Sequence, residues 1–245
     1  SSVQNLKKVE TDHRGAGDTK PMKPQITIDR TRTPDGTELV LYERDGVFTI
    51  RVDGLELMSS RSHGSEEEMA ELVLGRLMTR DPRVLVGGLG MGYTLRAVLD
   101  RVSRSSRVTV VELLPEIVNW NREHLDHLVG SPLDDARVEL VVEDVSQVMA
   151  AHPDTFDAIL LDVDNGPAAL TDCRNARLYS ADGLAAIRRS LRRNGILGVW
   201  SAGPDHDYER ALHRAGYRFR VETVRARRGT KGPKHTIFIA KSRSA

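Results

Sequence analysis

Three apolar runs in this 245-residue chain end on carboxylates, and a fourth ends on glycines. Arg83-Val84-Leu85-Val86 leads into Gly87-Gly88-Leu89-Gly90-Met91-Gly92, and Val108-Thr109-Val110-Val111 ends on Glu112. Val138-Glu139-Leu140-Val141-Val142 ends on Glu143-Asp144, and the run before Asp162-Val163-Asp164-Asn165-Gly166-Pro167 ends on Asp162. A glycine turn lets a ligand approach the backbone where side chains would block it, and a carboxylate about 20 residues further on can accept both hydroxyls of a ribose. Two carboxylates one residue apart at a strand end can orient an amine or hydroxyl nucleophile, or take its proton as it attacks an electrophilic carbon. The pattern predicts a nucleoside cleft with a reacting centre beside it. The plainer readings of the same residues are a tight turn with an incidental glutamate and a solvated acidic loop.

The glycine spacing narrows the ligand. Counted from Gly88 it reads GxGxG, with Tyr93 where a dinucleotide fingerprint would place its third glycine, so a pyrophosphate on the helix N-terminus is disfavoured. That arrangement points to S-adenosylmethionine (AdoMet) or a close relative. Gly87, Gly88, Gly90 and Gly92 are then the cofactor turn, Glu112 holds the ribose, and Asp144 either accepts from an adenine amino group or caps the helix that follows. Asp162 and Asp164 are the candidates for catalysis. No metal site is indicated.

These positions need elements to hold them. Residues 1–24 are polar and aperiodic and read as a disordered tail. Residues 25–62 carry short β-type runs with Asp45-Gly46 and Asp53-Gly54 as turns, which predicts a small antiparallel unit. Ser65-Glu66-Glu67-Glu68 reads as a helix start, with Ser65 as N-cap and Glu68 closing a capping box. From 63 to 245, strands expected at 83–87, 107–112, 137–142, 157–162, 195–200, 217–225 and 235–240 alternate with helices near 92–101, 115–128, 145–151, 179–192 and 206–215. The last two strands have no helix between them. The expected fold is α/β: a Rossmann-like, doubly wound, mainly parallel sheet with an antiparallel C-terminal strand pair, preceded by the small β-hairpin unit.

Composition sets outer bounds. A formal net charge of +1 gives no global attraction to nucleic acid or membrane. A single cysteine, Cys173, permits neither an intrachain disulfide nor a thiolate zinc cage, and no apolar run approaches bilayer length, so a soluble cytoplasmic protein is expected. The basic segment Arg225 to His235 reads as a solvated hairpin tip before an RNA-contacting loop, because it lacks aromatic residues for stacking. The hairpin strands near Val47 to Leu57 offer an edge that could pair two copies of the chain.

From about Leu39 to Ala240 the chain resembles the spermidine synthase superfamily, in particular short bacterial spermidine-synthase-like proteins with a class I methyltransferase core. The resemblance rests on Val52-Asp53-Gly54, the glycine turn with Thr94-Leu95-Arg96, Val111-Glu112, Glu143-Asp144, and Leu161-Asp162 with Gly166-Pro167. It implies that Asp162 is the base that activates an attacking amine. It also marks departures. The family's glutamine after the Asp-Gly turn falls at or beside Leu57, its Tyr-His pair at Met69-Ala70, and its glycine-turn aspartate at Gly90, and its second loop carboxylate is lost or moved to Asp164. A polyamine needs several placed carboxylates, because buried cations without partners are costly.

These departures favour an AdoMet-dependent methyltransferase acting on a small-molecule nucleophile. The alternative is an aminopropyltransferase using decarboxylated AdoMet. A third reading is a nucleoside-binding or regulatory module without catalysis.

Overall fold

A computed structural model describes residues 24–33, 36–163, 166–167, 177–227 and 232–242. Asp164, Cys173 and the tip of the basic segment, 228–231, lie outside the described residues, as does the tail up to residue 23.

Strands β1 (Ile26–Arg32), β2 (Glu38–Arg44), β3 (Val47–Val52) and β4 (Leu55–Ser59) pair in sequence order as one antiparallel sheet. Both turns expected at Asp-Gly are present. Asp45 and Gly46 have φ of 52° and 76°, and Asp53 and Gly54 have 46° and 81°, the paired positive values that a tight hairpin of right-handed strands requires.

Helix α1 (Gly64–Leu74) leads into the second sheet. There β5 (Arg83–Gly87), α2 (Tyr93–Leu99), β6 (Arg107–Glu112), α3 (Pro115–Trp120), α4 (Asp126–Val129), β7 (Val138–Val142), α5 (Val145–Ala151), β8 (Phe156–Leu161), α6 (Ala181–Ser190), β9 (Leu191–Ser201), α7 (His206–Arg214), β10 (Tyr217–Arg225) and β11 (Lys234–Ser242) follow in order. The strand order is β10-β11-β9-β8-β5-β6-β7. The contacts among β5 to β9 are parallel, and β11 pairs antiparallel with both β9 and β10. This is the doubly wound α/β sheet with a terminal antiparallel pair that the alternation predicts.

Alternating side chains feed two cores. Val84, Val86, Val108, Val110, Ala158 and Leu160 pack with α1, α2 and α3 on one face, and Leu85, Val111, Ile159 and Leu161 pack with α5, α6 and α7 on the other. Leu39, Leu41 and Ile50 of the N-terminal sheet belong to the first of these cores. Trp120 ties the two sheets together by donating its indole N–H to an Asp29 carboxylate oxygen at 2.6 Å.

Three local expectations are corrected. The helix expected over 115–128 is interrupted by a π-helical turn at Asn121–Leu125, where Asn121 turns inward instead of following the surface. Strand β9 starts at Leu191 and not at 195: buried Leu191 pairs beside Phe156, and a bulge with Asn194 at φ 68° absorbs the polar residues between. Helix α1 begins at Gly64 with His63 at its N-cap, so Ser65 is inside the helix and caps nothing. Its hydroxyl is buried and engaged elsewhere, as described next.

Candidate functional site

Strand order reverses between β5 and β8, with β6 and β7 added on one side and β9 on the other. A crevice opens beyond the carboxyl ends of strands at such a reversal. The glycine turn and Asp162 meet there. Gly88 has φ of 90°, and a Cβ on it would stand 2.2 Å from the Asp162 carbonyl oxygen, so only glycine lets the two segments approach this closely. The Asp162 N–H donates to the Gly87 carbonyl at 2.8 Å, extending the sheet pairing by one residue. Gly87 itself ends β5 and is packed against Leu161 and Val145.

Glu112 is buried at the end of β6 and already accepts two backbone N–H groups, from Leu89 in the glycine turn at 2.9 Å and from Leu114 at 3.0 Å. Burial raises its pKa, and the N–H groups of Leu114, Leu89, Leu113 and Gly90 oppose that rise. The carboxylate thus ties the glycine turn to the end of β6. Beside it, Leu113 follows in sequence and Val142 pairs with Glu112 in register, two apolar side chains about half exposed. Asp144 is the N-cap of α5, accepting from Ser146 N–H at 2.7 Å, so its capping role is met by the geometry. The turn is braced from behind by Asn121, whose amide donates to the Gly90 carbonyl at 2.7 Å and to Ile117 at 2.9 Å.

Asp162 faces α2 and α1. Thr94, in the first turn of α2, donates its hydroxyl to Asp162 Oδ2 at 2.5 Å. Burial pushes the Asp162 carboxyl up to about 6, with the Thr94 bond acting against the shift. The nearby partner is Glu66 on α1, only 6% exposed, whose pKa is pushed up to about 8 by burial and then by the negative charge of Asp162. The serine expected to cap α1 is instead the hub behind Glu66. Ser65 Oγ donates to Glu66 Oε2 at 2.6 Å, accepts from the Trp200 indole at 3.0 Å and lies 2.9 Å from His235 Nδ1. Tyr93, stacked on His63 with ring centroids 4.1 Å apart, flanks this side of the site, and its hydroxyl is pushed up to about 12 by burial and by Glu66.

Sequence reasoning places the glycine turn and Asp162 at strand ends, the structure brings Gly88 and Asp162 into contact, and Glu66 is missed. Its signal was present: three consecutive glutamates open a helix, and the one facing the sheet cannot be a solvated residue.

Comparison with known proteins agrees with this arrangement. The model of the spermine/spermidine synthase domain family matches residues 63–206. The chain belongs to that family. Among curated relatives it is 36% identical over 124 residues to polyamine aminopropyltransferase 2 of Pseudomonas aeruginosa, covering 49% of this chain and 33% of the relative. It is 28% identical over 190 residues to polyamine aminopropyltransferase of Erwinia tasmaniensis, covering 76% and 63%. The matches thus span less than two thirds of these relatives' lengths. Among solved structures, spermidine synthase from Thermotoga maritima superposes with a TM-score of 0.69 at 20% identity, over 89% of this chain and 73% of that one, which shows the shared fold. A spermidine synthase bound to the transition-state analogue AdoDATO superposes with a TM-score of 0.68 at 18% identity, over 89% and 72%.

Within the spermidine synthase family frame, the departures acquire a physical form. Met69 and Ala70, where the resemblance places a Tyr-His pair, are fully buried in the core. Gly90, where it places an aspartate, has φ of 52°, and a Cβ there would meet Met58 Cε at 2.9 Å and Sδ at 3.0 Å. The Met58 side chain fills that space from β4.

Proposed function

We propose that the chain is an aminopropyltransferase that transfers the aminopropyl group of decarboxylated AdoMet to a primary amine. The observation that carries the reading is Asp162: a carboxylate at the reversal point of the sheet, against the glycine turn, in a chain whose named curated relatives are polyamine aminopropyltransferases. Methyl transfer from AdoMet, which the sequence favoured, has no support among those relatives.

The glycine turn would present its backbone to the nucleoside, Glu112 would take its ribose, Leu113 and Val142 would flank its base, and the end of α5 at Asp144 would close the cleft. The donor supplies a methylene carbon bonded to a positive sulfur. An amine enters mainly as its ammonium ion at neutral pH and must lose a proton to expose a lone pair. Asp162, ionised above about pH 6, takes that proton. The nitrogen then forms its bond to the methylene carbon as the carbon–sulfur bond breaks, the electron pair goes to sulfur, and methylthioadenosine leaves.

The test is product analysis by liquid chromatography. Incubation with decarboxylated AdoMet and α,ω-diamines of three to five carbons should yield methylthioadenosine and an aminopropylated amine, and Asp162→Asn should lower kcat by about 100-fold or more. S-adenosylhomocysteine formed from AdoMet with the same acceptors would overturn the reading in favour of methyl transfer.

A further inference from the structure

We propose that Glu66 and Asp162 together seat the ammonium end of the acceptor amine, Glu66 on α1 supplying an anionic wall on the side of the site opposite the glycine turn. The proposal rests on the aminopropyl reading above and adds a residue and a charge balance to it. Glu66 belongs to the first turn of a helix packed on β8 and β9, so its side chain is directed at the strand ends and not at solvent. It is more than nine-tenths buried.

The hydroxyl that bonds it is held in a fixed position. Ser65 holds Oε2, and Ser65 is itself fixed by the Trp200 indole, whose only polar atom is an N–H. When Glu66 is ionised, the single Ser65 proton is committed to it, so His235 must present Nδ1–H to the serine oxygen. His235 is held neutral by burial, which lowers its pKa, and it therefore supplies orientation and no countercharge. The other charged groups facing Glu66 are Asp162 and Glu67, both acidic. His63 is bonded to Glu67 at 2.7 Å and stacked on Tyr93, which leaves it occupied on the outer side.

Two carboxylates so placed cannot both stay ionised without a cation between them. Without a cation between them they hold about one proton as a pair near neutrality, because burial raises both carboxyls and the charge of Asp162 raises Glu66 further. An ammonium ion entering between them lets Glu66 ionise, so binding of the acceptor expels a proton. The ammonium is then held by both walls while Asp162 is positioned to receive the proton needed for attack.

The experiment is titration calorimetry of 1,4-diaminobutane into the protein saturated with methylthioadenosine, at pH 7 in buffers of differing ionisation enthalpy. The buffer dependence counts protons. About one proton should be released per amine bound, and none in Glu66→Gln. In steady state Glu66→Gln should raise KM for the diamine about 10- to 100-fold while leaving the affinity for methylthioadenosine unchanged. Retained methylthioadenosine binding shows that the variant is folded. If Glu66→Gln binds the diamine with the parent's affinity and proton count, the inference falls while the aminopropyl reading stands. If Glu66→Gln instead weakens decarboxylated AdoMet relative to methylthioadenosine with KM for the diamine unchanged, Glu66 holds the donor's amine and the inference also falls. If the parent binds methylthioadenosine but turns over no amine, the functional reading fails first.

Discussion

A buried carboxyl that keeps its proton leaves a signature in stability. Folded Glu66 titrates at about 8 against an ordinary value of 4.5, so between those limits the folded state holds more protons than the unfolded chain. Stability must then fall as pH rises through that window, the reverse of a salt-bridged carboxylate. Replacing Glu66 with glutamine removes the loss. Well above pH 8 the variant should be more stable than the parent by up to about 5 kcal/mol, and near pH 4.5 the two should coincide. Urea midpoints at both pH values check this, and a pH-independent difference would contradict it. Gly88 makes the opposite case. Gly88→Ala places a methyl group against the Asp162 carbonyl at a φ that alanine resists, and should cost about 3 kcal/mol or more and abolish methylthioadenosine binding. A glycine-rich turn at this point was legible in the chain, but the partner that demands glycine at 88 was not, because the Asp162 carbonyl comes from a strand 74 residues further on. The role of Glu66 was not, because three adjacent glutamates look alike until the sheet selects one.

At the level of elements, the error over Ser65 is instructive. Serine followed three residues later by glutamate fits a capping box, yet a cap requires the first serine outside the helix, and Gly64 already lies inside it. What overrode the local pattern is tertiary: Trp200 on β9 and His235 on β11 converge on the serine hydroxyl from strands far away in sequence. Ser65→Ala should therefore cost about 1–3 kcal/mol through the three partners it leaves without a bond, Glu66, Trp200 and His235, more than a surface helix substitution, as denaturant unfolding would show. The π-helical turn is a second element invisible in periodicity. It rotates Asn121 under the glycine turn, and Asn121 is 4% exposed with both of its amide donations directed at carbonyls. Asn121→Ala should weaken methylthioadenosine about tenfold, and Asn121→Asp should do more harm, since it sets a carboxylate against two carbonyl oxygens. Equal effects from the two variants would mean that the amide only fills space.

The whole molecule behaves as one unit if its two sheets share a core. Alternation of strands and helices foretold the large sheet and its antiparallel end, and the two Asp-Gly turns foretold the small one. No local pattern states that they fuse, because the joining contacts connect distant positions: Leu39, Leu41 and Ile50 enter the core lined by Val84 and Leu160, Met58 closes over Gly90, and Trp120 reaches Asp29. The small sheet is therefore a wall of the cleft as well as a leading segment. Two consequences follow for calorimetry. Heating should give a single cooperative transition, with no separate melting of the N-terminal strands. Methylthioadenosine at about 100 times its Kd should add about 2.7 kcal/mol and move the whole transition upward by about 5–10 °C, because the proposed cleft lies against the glycine turn that Met58 of the small sheet packs on. Trp120→Phe, which removes the indole N–H bonded to Asp29 and keeps an aromatic ring in the core, should lower Tm and diminish that ligand-induced shift together. Two resolved transitions, with the ligand moving only the later one, would show that the small sheet folds apart from the cleft and that Met58 and Trp120 contribute nothing to its shape.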